Sequence, residues 1–255
     1  MSDLVLGRIA YVNMAPLFHD LDHDAEQITG VPTELNAKLL RGEVDVAPIS
    51  SIEWARHAAG LRLLPRLCVS SEGAVDSIQI VSRRPLEGIE TVAVTPESAT
   101  SAVLARVLLP RAELVPFDAE ADGRLLIGDA ALRSVFEDPT PHHDLGRLWR
   151  ERTGLPMVYA VFACRQPPPD GVGGVEEALV DAHARARAEP ERLALAASST
   201  YGYPAGFLAR YFEKLRYAFG PRERAGLLSF LELACEVGAL DSVPELRFVG
   251  SDVPV

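Results

Sequence analysis

Pro32-Thr33-Glu34-Leu35-Asn36-Ala37-Lys38-Leu39-Leu40-Arg41-Gly42, followed after Glu43 by Val44-Asp45-Val46-Ala47-Pro48-Ile49, decides the fold class of this chain. The first stretch predicts a helix, with Leu35, Leu39 and Leu40 on one face and Gly42 as its stop. The second predicts a strand. Residues 4–12 ahead of them are β-rich, so the order is strand, helix, strand. At this spacing that is a βαβ unit, which requires parallel strands and a right-handed crossover.

The same grammar continues. A strand is expected over residues 77–82 and a turn over 83–88. A short strand over 91–94 feeds a helix from about 98 to 109, and 113–117 and 125–128 read as two more short strands. Residues 158–164 are unbroken apolar sequence, the mark of a strand buried on both faces. Beyond the Pro/Gly break at 166–171 the chain reads as helical to near residue 240, over 175–188, 190–197, 204–215 and 221–237, several of them opening on Pro. The runs 77–82 and 158–164 are expected to cross between two α/β lobes. Lobe 1 is then discontinuous, residues 1–84 and 165–255, around a lobe 2 of 85–164. Such a protein holds its ligand in the interlobe cleft.

Composition narrows the partners. The 255 residues are 48% hydrophobic and 24% charged, with a net charge of −11. A diffuse acidic balance offers no footprint for nucleic acid and is repelled by an anionic membrane. No apolar run approaches the roughly 20 residues that span a bilayer. The N-terminal residues show no export signal, so a cytoplasmic location is expected. Cys68, Cys164 and Cys235 are isolated and odd in number, which predicts reduced core thiols. His19 and His23 stand four apart, but no third ligand cluster accompanies them, and no metal is expected. His142-His143 sit in a Pro-bounded loop and are expected to be solvated. There is no Gly-rich phosphate loop, GxGxxG or GxSxG elbow, and no cofactor is expected.

Small hydroxyl and amide residues cluster directly after strands, where open α/β sheets bind ligands. They are Asn13, Ser50-Ser51, Ser70-Ser71 before Gly73, Ser77, Thr95 with Ser98-Ala99-Thr100-Ser101, and Gly128-Asp129. Each also has a purely structural reading. Ser50 with Glu53 fits a capping box, Ser98 and Asp129 fit helix N-caps, and Asn13 fits a turn. Taken together, helix N-termini and hydroxyls make a site for a small anion that needs no lysine or arginine.

These residues carry a resemblance. Arg8-Ile9-Ala10-Tyr11-Val12-Asn13-Met14-Ala15-Pro16-Leu17, the block from Leu39 to Glu53, Ser70-Ser71-Glu72-Gly73-Ala74-Val75-Asp76-Ser77 and residues 95–101 are similar to the chorismate dehydratases of the futalosine route to menaquinone. So are Leu126-Ile127-Gly128-Asp129-Ala130-Ala131-Leu132 and Asp144 to Trp149 through Thr153-Gly154-Leu155-Pro156, and the likeness covers nearly the whole chain. The resemblance implies a periplasmic-binding-protein type II fold acting as a hydro-lyase on a small dicarboxylate, chorismate. By that resemblance Asn13 and Ser77 act on the reacting region. The substrate's own enolpyruvyl carboxylate is the implied base. A sister family on the same fold, the dihydroxynaphthoate synthases, relies on a cleft histidine, and none follows the strand at 125–127. A non-catalytic cytoplasmic anion-binding protein is the remaining alternative.

Overall fold

A computed structural model describes residues 4–251. The chain opens with β1 (Val5–Ile9), a short helix α1 (Ala15–Phe18), β2 (Glu26–Gly30), α2 (Pro32–Arg41) and β3 (Val46–Ser50). Helix α2 forms for local reasons. Pro32 opens it, Glu34 accepts the Val31 N–H at 3.2 Å, and Gly42 closes it with its N–H on the Leu39 carbonyl. Its Leu35 and Leu39 are buried under the sheet. Strand β1 pairs in parallel with both β2 and β3, as the βαβ reading requires.

After α3 (Ser51–Arg56) and the long β4 (Leu61–Ser71), the chain leaves this sheet. It builds β5 (Ile78–Val81), β6 (Thr91–Val94), α4 (Ala99–Leu108), β7 (Glu113–Pro116), β8 (Gly123–Ile127), α5 (Gly128–Glu137), β9 (His142–Asp144) and α6 (Leu145–Thr153). Their strands form a second sheet in the order β7-β6-β8-β5-β9. The chain then returns with β10 (Met157–Arg165) and closes with α7 (Val172–Ala188), α8 (Pro190–Tyr201), α9 (Ala205–Phe212), β11 (Leu215–Ala218) and α10 (Pro221–Glu236). The first sheet runs β11-β4-β10-β3-β1-β2, with β10 antiparallel to both β3 and β4. No helix among the described residues is long and apolar enough to cross a membrane.

Several expectations need correction. The runs read as crossings are full sheet strands: residues 78–81 pair with β8 and β9, and 157–165 pair with β3 and β4. Unbroken apolar sequence marks a strand covered on both faces. The true connections between the sheets are the segment 72–77, which carries Glu72, Asp76 and Ser77, and the Gly-Leu-Pro turn 154–156. The sheet boundaries therefore fall near 77 and 156 rather than at 84 and 165. The helix expected over 204–215 ends at Phe212, and β11 follows it. The histidines placed in a solvated loop belong to β9, where His142 Nε2 meets Ser134 Oγ at 2.8 Å.

The core locks the return connection in place. Trp149 is fully buried, packs edge-on against Phe230 at 6.1 Å, and donates its indole N–H to the Pro156 carbonyl at 3.2 Å. Gly226 of α10 rests on the same carbonyl, and a Cβ there would stand 2.1 Å from it. Alanine normally stabilises a helix interior by up to about 1 kcal/mol over glycine. Here the clash reverses the sign. Gly226→Ala should destabilise the protein by about 1–3 kcal/mol, read as a lower urea midpoint at unchanged m-value. A raised midpoint would show that α10 does not press on Pro156.

Candidate active site

A cavity lies between the two sheets. Its lobe 1 wall is Ile9, Tyr11, Asn13, Ser50, Val69, Tyr159 and Ala160, and the facing wall includes Ser77, Ile78, Ser98, Ser101, Ile127 and Gly128. Its free interior volume is about 60 Å³, well below the roughly 300–1,000 Å³ of small-molecule sites, so the lobes must part further to take a ligand of that class. None of its lining side chains is charged at neutral pH. Two helix N-termini reach it, α4 through its cap Ser98 and α5 through Gly128, so backbone N–H groups and hydroxyls supply its polarity.

Asn13 sits in a single 3-10 turn, Val12–Met14, directly after β1. Its backbone carbonyl accepts the Tyr217 hydroxyl. Its side-chain oxygen is buried at the cavity wall with no hydrogen-bond partner among the described residues. Ser77 ends the first connection between the sheets, and its carbonyl accepts the Gly128 N–H at 2.8 Å. The buried Tyr211 hydroxyl lies beside Ser77 without a hydrogen bond of ordinary geometry. Ser98 caps α4 as expected, accepting the Ser101 N–H at 3.2 Å, and the two hydroxyls meet at 2.9 Å.

Other expected residues fall elsewhere. Ser50 lines the cavity but caps nothing, because the Asn36 side chain brackets its N–H and hydroxyl at 3.1 and 3.3 Å. Ser51 turns away and donates to the Val158 carbonyl at 2.7 Å, since neighbours at a strand end point to opposite sides. Ser70 donates to the Arg216 carbonyl at 3.2 Å, and Ser71 to the Gly73 carbonyl at 2.8 Å, so neither these two nor Gly73 lines the cavity. Thr95 and Ala99 line a separate surface pocket beside Phe117. Thr100 is committed to a contact between helices α3 and α4, its Oγ1 accepting the Ile52 N–H at 3.2 Å. Asp129 is not an N-cap, because α5 begins at Gly128. Its Oδ1 accepts the Val12 N–H at 3.0 Å.

Sequence reading passed over the tyrosines, which by residue type look like core. Tyr11 spans the cleft and donates its hydroxyl to Glu97 Oε2 at 2.7 Å. Burial first, and then Glu97, push its phenol far above the ordinary range, so it stays neutral. Tyr159 shares a 2.8 Å hydrogen bond with Ser71 Oγ, and burial raises its pKa likewise. Asp144 was also missed as a support. Its buried carboxyl accepts the N–H groups of Val75, Asp76 and Arg147 and the Gln79 amide, fixing the segment that carries Ser77. Asp76, held at φ 60, pairs with Lys214. Among the described residues no group of three His, Cys, Asp or Glu side chains is placed to hold a metal.

Two mixed sheets joined by two connections, with helix N-termini at the cleft between them, define a periplasmic-binding-protein fold. The periplasmic aliphatic sulphonate binding protein SsuA of Escherichia coli has that shape, with a TM-score of 0.67 at 13% identity over 99% of this chain and 96% of its own. The chain belongs to the menaquinone biosynthesis family, whose model matches residues 4–236. It is 36% identical to a chorismate dehydratase of Thermus thermophilus over 91% of this chain and 95% of that one. It is 35% identical to a chorismate dehydratase of Campylobacter jejuni over 64% and 68% of the two chains.

Removing the Asp144 carboxyl orphans several donors at once, each worth about 1–3 kcal/mol when buried unpaired. Asp144→Ala should therefore cost about 3 kcal/mol or more in stability by urea unfolding, with Asp144→Asn intermediate. An alanine variant as stable as the parent would show that the 75–77 segment needs no such anchor.

Proposed function

We propose that this protein is a chorismate dehydratase, a hydro-lyase that converts chorismate to 3-[(1-carboxyvinyl)oxy]benzoate and water. One observation carries the reading: Asn13 presents a buried, unpartnered acceptor to a cavity that holds no charged side chain. Such an acceptor calls for a ligand donor, and the ring hydroxyl of chorismate supplies one. The family match and the two dehydratase relatives support the same substrate.

The chemistry suits neutral walls. The C–H bond at the ring carbon bearing the ether breaks, the C–O bond of the allylic hydroxyl breaks, and the ring becomes aromatic. The ring proton is vinylogous to the ring carboxylate, so charge moves onto that carboxylate as the proton leaves. In this reading the N-termini of α4 and α5 and the Ser98 and Ser101 hydroxyls, which reach the cavity, stabilise that carboxylate charge. The cavity wall holds no histidine, lysine, aspartate or glutamate, and its two phenols are held neutral. The proton therefore goes to the substrate's enolpyruvyl carboxylate and leaves with hydroxide as water. In this scheme Ser77 orients the enolpyruvyl arm and Asn13 holds the departing hydroxyl. Orientation is what the protein contributes, and effects of about 7–11 kcal/mol are available to it. The enzyme works in the cytoplasm without cofactor or metal in this reading.

The test is incubation with chorismate and mass spectrometry for a product lighter by one water. Asn13→Ala and Ser77→Ala should each lower kcat by about 10-fold or more, the size of one lost hydrogen bond to a reacting group. Wild-type protein that returns chorismate unchanged overturns the reading. Variants that turn over at the parental rate overturn the roles of these two residues.

A further inference from the structure

Asn13 and Ser77 stand on different segments, and their relative placement depends on the dipeptide Gly128-Asp129. The Gly128 N–H binds the Ser77 carbonyl at 2.8 Å, and the Asp129 carboxylate binds the Val12 N–H at 3.0 Å. Val12 is the first residue of the turn that carries Asn13. Asp129 is itself tied back to the first lobe, because its carbonyl accepts the Tyr203 hydroxyl at 2.8 Å. The far side of the turn is fixed from the first lobe alone, by Tyr217 on the Asn13 carbonyl. The second lobe meets the preceding Tyr11 through Glu97 and Gly128, but its hydrogen bond to the backbone of the turn itself comes from the Asp129 side chain.

We propose that Asp129 is a positioning residue that sets Asn13 against Ser77 when the two lobes meet, by gripping the Val12 N–H. This role rests on the dehydratase reading. Asp129 does not line the cavity, so it acts through the turn and not on the substrate. Its carboxylate is half-buried, where a charge-assisted hydrogen bond to a backbone N–H holds geometry more firmly than a neutral one. A purely structural carboxylate would satisfy the same N–H and leave the chemical step untouched.

The two readings separate in a double-mutant cycle on the full chain, with chorismate as substrate. Asp129→Ala removes the acceptor. Val12→Pro removes the donor, at a first helical position after an extended Tyr11 (φ −75°, ψ 156°) that tolerates proline. Each should lower kcat on the order of 10- to 100-fold while KM changes less than about threefold. The double variant should lose little beyond either single. Asp129→Asn, which keeps an acceptor oxygen in place and should fold where alanine does not, is expected to recover most of the rate. Losses that multiply in the double variant, or full kcat in folded Asp129→Ala, overturn the proposal. Wild-type protein that leaves chorismate intact would instead overturn the dehydratase reading from which this role follows.

Discussion

How closely the two sheets approach is set by one contact, the ring of Tyr11 against the backbone of Gly128. A Cβ at residue 128 would stand 2.6 Å from the ring, and the residue's φ of 54 lies where side chains are strained. Only glycine lets the N-terminus of α5 come down onto β1's loop. Everything else at the cleft follows from that approach. It brings Asp129 to the Val12 N–H and Tyr11 within reach of Glu97, while the Gly128 N–H continues the β5–β8 ladder onto the Ser77 carbonyl. Tyr11 presents its ring to the cavity and its hydroxyl to Glu97. The carboxylate is thereby satisfied outside the site, and its charge does not face an incoming anion.

The acidity of the chain is consistent with an anionic ligand once local fields are separated from the global one. A net charge of −11 repels an anion at long range, but that repulsion is screened within about 10 Å at ordinary salt. Inside a cleft closed over a ligand, helix N-termini and hydroxyls act at close range on the anion. A lysine or arginine there would bind a dicarboxylate strongly in every state. Dipoles aimed at one carboxylate favour the state in which charge has moved onto it, and that difference is what accelerates a reaction.

Much of this was legible in the sequence, and the misses have physical causes. The βαβ opening was plain because Leu35, Leu39 and Gly42 leave few alternatives. Strand β4 escaped notice because Pro65, Arg62 and Arg66 interrupt its apolar pattern, although its last five residues are buried. Strand β11 hides between helices with an arginine and a tyrosine in its four residues, and β9 is His-His-Asp, paired along only one edge. Strand-end hydroxyls could be gathered from sequence, but which of them face the cleft depends on the pleat. Ser50 and Ser51 are adjacent, equally buried and serve different ends. The load borne by Asp144 and Asp129 could not be read, because both bind backbone N–H groups of distant segments and no local pattern records such a partner.

The unpaired Asn13 acceptor also bears on the direction of the cycle. A buried polar atom without a partner costs about 1–3 kcal/mol, and no protein group among the described residues meets this one. A ligand bearing a hydroxyl at this point removes that cost on binding. On the proposed reading, dehydration takes the hydroxyl off the ring, and the flat aromatic product offers Asn13 no donor. On that reading the group that holds the departing hydroxyl also disfavours retention of the product. A site built from neutral acceptors can thus discriminate between two anions of nearly equal charge and size, which a cationic side chain, answering chiefly to charge, would hold alike.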